Sequence, residues 1–263
     1  MAETTASTFT DRRVEVAGTQ LHLARGGSGD PLLLLHHDIG SPGWLPLHQQ
    51  LAERFDVLAP SHPGYDRSDR PDWMRSVRDV AVVYQWLLAD LGLEHVTLVG
   101  LGFGGWIAAE MATMAPRAFR RLVLVGAMGI QPDDGEILDQ ALLNYIDYAR
   151  AGFHDQRAFD AVFGAEPSTD QLETWDRNRE MSFRIAWKPY MYSQTLPHLL
   201  GGVKAPALVV WGAEDQIVPR SSGERYARSL PDARLEIVDG AGHCVGLERP
   251  AELARLIERF LTG

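Results

Sequence analysis

The most constraining feature of this 263-residue sequence is a series of short, continuous apolar runs separated by stretches of helical periodicity. Runs of this kind are typical of parallel strands that are buried on both faces of a sheet. The runs cover residues 31–36, 55–60, 95–100, 121–126 and 206–212. The alternation predicts an α/β fold with a mostly parallel central sheet flanked by helices.

Between the second and third runs, residues 76–91 carry apolar side chains at helical spacing, and Ser76 with Asp79 predicts a capped helix start. Near the N-terminus, residues 13–17 and 19–24 alternate with period two, which predicts a hairpin of edge strands. A last strand at 234–238 and a last helix at 251–261 complete the pattern.

The segment 131–203 interrupts the alternation, because it has several amphipathic, aromatic-rich stretches and no clear strand. We therefore expect a helical cap at 131–203, inserted into one core formed by residues 1–130 and 204–263.

The amino-acid composition excludes several classes of binding partner and site. The chain carries 25 basic and 35 acidic side chains, so its net charge of −10 argues against nucleic acid and anionic lipid. The single cysteine, Cys244, excludes an internal disulfide and a CxxC metal site, and no apolar run has the roughly 20 residues of a membrane span. We expect a cytoplasmic protein that binds a small molecule, and the sequence leaves homodimer formation open.

A glycine-rich turn follows the third buried run, with glycine at positions 100, 102, 104 and 105. Two motifs share this pattern: the nucleophile elbow, with Gly102 at its centre, and the Gly-x-Gly-x-x-Gly loop that binds dinucleotides. The dinucleotide-binding loop must follow the first strand of the sheet, with an acidic residue about 20 positions later. This turn follows roughly the fifth strand, and residues 119–128 contain no acid, so the elbow is favoured.

Two polar turns follow the last two predicted strands: Asp215, with Glu214 as a competing acid, and then His243. Polar loops at 36–38 and 60–71 follow earlier strands. With the glycine turn, these motifs resemble the α/β-hydrolase family across essentially the whole chain, in that family's order of nucleophile, acid and histidine.

The resemblance implies that Asp215 orients His243, and that the backbone N–H groups of Asp38 and Phe103 form an oxyanion hole. The nucleophile position is Gly102, which has no side chain, so the family's acyl-enzyme cannot form there. The base and its orienting acid remain. Asp38 is a candidate substitute carboxylate, as a base or a nucleophile, or a group that binds a substrate hydroxyl.

Several neighbouring residues are candidates for a substrate pocket or an unusual role. His37 stands where the family has glycine, and Cys244 is next to His243 but is disfavoured as a nucleophile. The candidate substrate-binding residues are His37, Trp106, Trp187 and Tyr190. We expect no metal ion and no organic cofactor.

Three hypotheses follow for function. The chain is an enzyme in which the His243–Asp215 pair activates water or substrate, for ester or thioester hydrolysis, carbon–carbon cleavage or a lyase reaction on a small, largely apolar molecule. Alternatively, it is a small-molecule-binding homologue without catalysis, or a serine hydrolase whose nucleophile was replaced by Gly102. The first hypothesis is preferred because the acid and the base are both present.

Overall fold

The computed structural model describes residues 9–263. Within that range the strands form one eight-stranded sheet, in the order β1-β2-β4-β3-β5-β6-β7-β8. The strands are β1 (Phe9–Val16), β2 (Thr19–Gly26), β3 (Asp30–Leu35), β4 (Phe55–Pro60), β5 (Val96–Leu101), β6 (Phe119–Val125), β7 (Ala207–Gly212) and β8 (Ala233–Val238). Each predicted run is a strand, so the predicted α/β fold is confirmed.

The strands from β3 onward pair in parallel, whereas β1 pairs antiparallel with β2 and β2 antiparallel with β4. The predicted hairpin is therefore present, but the expectation that both of its strands lie at an edge is wrong for β2. The far side of β2 pairs with β4, from Leu23 opposite Pro60 to Gly26 opposite Val57. Only β1 lies at the edge, next to β2.

Helices connect the strands. In the described range they are α1 (Pro46–Leu51), α2 (Val77–Asp90), α3 (Phe103–Met114), α4 (Tyr145–Ala151), α5 (Gln156–Phe163), α6 (Thr169–Ala186), α7 (Leu196–Leu199), α8 (Arg220–Ser229), α9 (Val245–Glu248) and α10 (Pro250–Thr262). The capped start of α2 is confirmed, because the Ser76 hydroxyl accepts the Asp79 N–H at 3.2 Å while the Asp79 carboxylate accepts the Ser76 N–H. None of these helices is long and apolar enough to cross a membrane.

The sheet is buried on both faces, as the continuous apolar runs predict. In β5, Leu98 packs into the cluster that includes α2 and α3, whereas Val99 and Leu101 pack into the cluster that includes α1 and α10. Consecutive side chains of a strand point to opposite faces, so a strand covered by helices on both sides needs apolar residues at every position.

The segment between β6 and β7 forms helices α4 to α7 and short 3-10 turns. Asn178 on α6 fastens this segment to the core: its side chain accepts the Asp66 N–H at 2.9 Å and donates to the Ile39 carbonyl at 3.1 Å. Nearby, the hydroxyls of Tyr65 and Ser182 are 2.8 Å apart. The helical content agrees with the expected cap, whose boundaries at 131 and 203 stay a prediction.

Candidate active site

The turn between β5 and α3 has the shape of an elbow. Gly102 has φ 53° and ψ −113°, a left-handed conformation that side chains rarely adopt, and it caps the N-terminus of α3. Its flanking glycines are needed for close packing, since a Cβ on Gly100 would lie 2.4 Å from the Gly104 carbonyl oxygen. A Cβ on Gly104 would lie 2.4 Å from the Leu35 carbonyl oxygen. The sequence therefore turns sharply here and leaves position 102 at the tip.

The space above Gly102 is bordered by two imidazoles. A Cβ added to Gly102 would lie 2.5 Å from His37 Nδ1 and 2.9 Å from His243 Nε2. The two rings meet edge to face, with centroids 5.1 Å apart. His37 is buried, and neither of its ring nitrogens has a hydrogen-bond partner among residues 9–263. The histidine that replaces the family's glycine therefore occupies the space that a side chain at position 102 would need.

His243 and Asp215 form a buried pair. The Nδ1–H of His243 donates to Asp215 Oδ2 at 2.9 Å, and the Ile217 and Val218 N–H groups each donate to Asp215 Oδ1 at 2.9 Å. This bond leaves His243 Nε2 as the acceptor nitrogen of the neutral ring, without a partner in the described chain. Burial alone would lower the pKa of His243, but the carboxylates of Asp215 and Asp38 raise it above its ordinary value.

Asp38 lies beside this pair, fully enclosed by the fold. Its Oδ2 accepts the Gln140 side-chain N–H at 2.7 Å and the Tyr148 hydroxyl at 2.8 Å. Burial raises the pKa of Asp38, while His243, the Tyr148 hydroxyl and the residue's own backbone N–H oppose that shift. The carboxyl group is thus held in place by the helical segment and faces the catalytic histidine candidate.

The loop that carries His37 and Asp38 is fixed by its neighbours. His36 Nδ1 lies 2.6 Å from the His37 carbonyl oxygen, and His36 Nε2 accepts the His62 N–H at 2.9 Å. His62 in turn bonds through its ring to the Tyr84 hydroxyl at 2.6 Å and to the His36 carbonyl at 2.9 Å. The His37 ring, by contrast, has no hydrogen bond within the described residues and is held by packing alone, at 2% exposure.

The predicted oxyanion donors are the backbone N–H groups of Phe103, next to Gly102, and of Asp38, next to His37. The Phe103 N–H begins α3 and has no hydrogen-bond partner within the described part of the chain. The N–H of Asp38 faces its own carboxylate, as the pKa of that group reflects. Their roles as oxyanion donors stay a prediction.

Three predicted substrate-binding residues have contacts of their own. Trp187 is 48% exposed and packs edge-on against Phe183 and Tyr190. Trp106 is buried, and its indole N–H donates to Glu110 at 3.3 Å. The Tyr190 hydroxyl accepts the Gln140 N–H at 2.8 Å, so it contacts the residue that bonds to Asp38. Their direct contact with a substrate stays a prediction.

A cavity of about 10 Å³ lies beside His243 and Asp38, about the space that one water molecule requires. It is lined by Asp38, Ile39, Tyr148, Ala149, Gly152, Ile217, His243 and Cys244. Burial holds the pKa of the Cys244 thiol well above its ordinary value, which disfavours the thiolate that a nucleophile requires. Sequence reasoning missed Tyr148 and Gln140, because their contacts with Asp38 span 110 and 102 residues.

One set of residues in this site has the chemistry of a metal centre. His37, Asp38 and His243 each offer a ligand atom, and these atoms lie within 4.8 Å of one another. All three residues are buried.

Comparison with known proteins agrees with this architecture. The chain is 27% identical to the 2-hydroxymuconate semialdehyde hydrolase of Pseudomonas sp. (strain CF600), over 95% of this chain and 93% of that protein. It is 27% identical to the 2-hydroxy-6-oxo-6-phenylhexa-2,4-dienoate hydrolase of Burkholderia cepacia, over 100% and 99% of the two chains. The crystal structure of a bacterial membrane phospholipase A superposes with a TM-score of 0.82 at 25% identity, over 97% of this chain and 86% of that one.

The model of the α/β hydrolase fold family matches residues 30–250, which include the elbow, Asp215 and His243. Both of these curated relatives, from Pseudomonas sp. and Burkholderia cepacia, are named as hydrolases. From its sheet order, its elbow and this match, the chain belongs to the α/β hydrolase fold family.

Proposed function

We propose that this protein is a hydrolase that acts without a serine nucleophile, using the His243–Asp215 pair to activate water. The observation that carries the proposal is the state of His243 Nε2, which is buried, has no partner among residues 9–263 and adjoins Gly102. A neutral imidazole held by a carboxylate at its other nitrogen is a general base.

The relatives favour a carbon–carbon bond beside a ketone as the target. Two of them are named as hydrolases of 2-hydroxymuconate semialdehyde and of 2-hydroxy-6-oxo-6-phenylhexa-2,4-dienoate. We therefore propose a small, largely apolar substrate of this oxo-dienoate class. Esters and thioesters are alternatives, because water attacks their carbonyl carbon in the same way.

The proposed reaction needs one base and one water molecule. His243 Nε2 removes a proton from water, and the oxygen bonds to the ketone carbon. The carbon–carbon bond then breaks, its electron pair stays on the leaving carbon, and that carbon takes the proton from His243. The products are a carboxylic acid and the protonated second fragment, so atoms and charge balance. Asp215 stabilises the transient imidazolium.

Two further groups support the proposal. The free Phe103 N–H lies at the start of α3, where an oxyanion on the attacked carbon would gain from both the donor and the helix dipole. Asp38, bonded to Tyr148 and Gln140, faces the same space and would orient the water or a substrate hydroxyl. We assign it this positioning role.

The substrate needs more room than the present cavity of about 10 Å³. The wall on one side is α4, a seven-residue helix that contributes Tyr148 and Ala149. We propose that residues 131–203 act as a cap and that α4 moves outward when the substrate enters. The Tyr148–Asp38 hydrogen bond would break in that movement.

Two alternatives are less well supported. A binding-only protein would be favoured if an apolar side chain filled the space above Gly102, but the group found there is the polar imidazole of His37. An engineered loss of serine would require His37 to lie elsewhere when the serine was present, since any Cβ at position 102 would lie 2.5 Å from the present position of His37 Nδ1. Gly102 and His37 fit each other as a pair.

The test is a rate comparison on oxo-dienoates, esters and thioesters. We expect His243→Ala to lower kcat on the best substrate by about 10²- to 10⁴-fold, and Asp215→Asn to act in the same direction. The matched control is His198→Ala, an exposed histidine on α7 that lies outside the site. Equal rates for the parent and His243→Ala across the panel would overturn the catalytic proposal and favour the binding-only alternative.

A further inference from the structure

Both His37 and His243 aim unpaired nitrogens at one space. His37 Nδ1 and His243 Nε2 lie 2.5 and 2.9 Å from the position that a Cβ of residue 102 would have, so both nitrogens approach the same side of Gly102. Each residue is only 2% exposed, and these nitrogens, with His37 Nε2, are without hydrogen-bond partners in the described chain. Buried nitrogens of this kind normally have a partner, so the space is suited to a ligand that accepts imidazole lone pairs.

A carboxylate completes the set. One ligand atom of Asp38 lies within 4.8 Å of one from each histidine. The bonds from Gln140 and Tyr148 both go to Oδ2 of Asp38, so neither uses Oδ1. We infer that His37, Asp38 and His243 form a binding site for a divalent transition-metal ion of the Zn²⁺ class. From the sequence we expected no metal, since no motif called for one; the meeting of these donors was not visible there, because His243 lies more than 200 residues from His37 and Asp38.

The donor set fits that class of ion. Two imidazoles and one carboxylate, with positions left open for water, make up catalytic zinc sites and non-haem iron sites. Metal–nitrogen bonds are about 2.0–2.1 Å long, so the three donors must approach one another from their present separation. For His37 this adjustment is a turn of the ring within its packing, with no hydrogen bond to break among residues 9–263.

The surroundings provide the outer shell that metal ligands commonly have. His243 donates its other ring N–H to Asp215, and that carboxylate is fixed by two backbone N–H groups. Asp38 is oriented by the Tyr148 hydroxyl and the Gln140 amide. His243 and Asp38 thus each have supporting contacts that fix the orientation of the side chain.

The charge of the site also favours a cation. Asp38 and Asp215 are both buried, and among the described residues neither forms an ion pair with a lysine or an arginine within 4.0 Å. Of the two acids, Asp215 forms a salt bridge within the described residues, and its partner is His243. A divalent ion would neutralise two carboxylates that are otherwise costly to bury.

Gly102 lets the two imidazoles come together, because it places no side chain between them. A serine at this position would extend a Cβ and an oxygen into the region that the two imidazoles border. The loss of the nucleophile and the gain of His37 are therefore explained together, as the exchange of a covalent site for a metal site. This inference rests on the proposed function in one respect: the ion would hold the water that hydrolysis consumes and would replace His243 as the group that activates it.

The experiment measures metal binding by the full-length protein after removal of metal with a chelator. The protein is dialysed against Zn²⁺ and its metal content is measured by mass spectrometry, while Co²⁺ provides a visible absorption spectrum. We expect about one ion per chain and a Co²⁺ spectrum of low-coordinate nitrogen and oxygen ligation. His37→Ala and Asp38→Asn should each lose this uptake, whereas His198→Ala, an exposed histidine on α7, should retain it.

A further variant keeps the test decisive if these substitutions disturb folding. Tyr148→Phe removes only an outer hydrogen bond to Asp38 and should weaken Zn²⁺ binding about 10- to 100-fold.

The inference is overturned if the parent binds less than about a tenth of an equivalent of Zn²⁺, or if His37→Ala and Asp38→Asn bind it as the parent does. The two proposals fail separately. Hydrolysis by chelator-treated protein that binds no Zn²⁺ would remove the metal site and keep the hydrolase. Specific Zn²⁺ binding without turnover of any substrate would keep the metal site and remove the hydrolase.

Discussion

The pairing of Gly102 with His37 makes a quantitative prediction about stability. In Gly102→Ser, the new Cβ would lie 2.5 Å from His37 Nδ1, and the residue would keep φ near 53°. Left-handed strain costs a non-glycine residue about 1–2 kcal/mol. Forcing an extra group into a packed interior costs about 1–3 kcal/mol more. We therefore expect Gly102→Ser to lower the free energy of unfolding by about 2–5 kcal/mol.

The contact with His37 can be separated from the strain by a double-mutant cycle. In a His37→Gly background the ring is absent, so Gly102→Ser should cost less: the strain of about 1–2 kcal/mol and the remaining 2.9 Å approach of the Cβ to His243 Nε2. The matched control is Gly92→Ala, at φ +65° with nothing within 4 Å of the added Cβ, which measures strain without overlap.

The assay is urea unfolding followed by tryptophan fluorescence and circular dichroism. The slope of the free energy against urea should be the same for all variants, so that the shift in midpoint reports stability. The expected coupling energy between positions 37 and 102 is about 1–3 kcal/mol. Equal costs of Gly102→Ser in both backgrounds would refute the claim that His37 occupies the space of the missing side chain.

Two further predictions concern pH and the attachment of the helical segment. In chelator-treated protein, the hydrolysis rate should reach its maximum above the raised pKa of His243 and should fall as the pH drops through that pKa. The reason is that the protonated ring cannot accept a proton from water. A rate that rises with acidity would contradict this prediction. Asn178→Ala leaves partly buried groups of Asp66 and Ile39 without this partner and should lower the free energy of unfolding by about 1–3 kcal/mol in total, measured by urea midpoint. A change below about 0.5 kcal/mol would contradict it.

The sheet was predictable because its signals are local. Each buried strand needs apolar residues at consecutive positions, and this requirement is visible in runs such as 121–126. The pairing of Asp215 with His243 was predictable as well, since both follow parallel strands whose carboxyl ends meet at one edge. Helix α1 was not predicted, because six residues span less than two helical turns and show no clear periodicity.

The contacts that distinguish this site from its family could not be predicted, because they depend on distant segments. Tyr148 and Gln140 reach Asp38 across more than 100 residues, and neither carries a motif. The position of His37 over Gly102 depends on how one loop packs against another. The sequence showed two unusual residues at separate positions, and only the fold shows that they adjoin each other.

The central claim is that water is activated at His243 without a covalent bond between substrate and protein. It is tested most directly by the intact mass of the protein quenched during steady-state turnover of its best substrate. We predict that the mass stays equal to that of the free protein at every time point, because Gly102 offers no nucleophile and the Cys244 thiol is kept neutral by burial. An adduct with the mass of the acyl fragment would contradict the claim and would identify a nucleophilic side chain in the site.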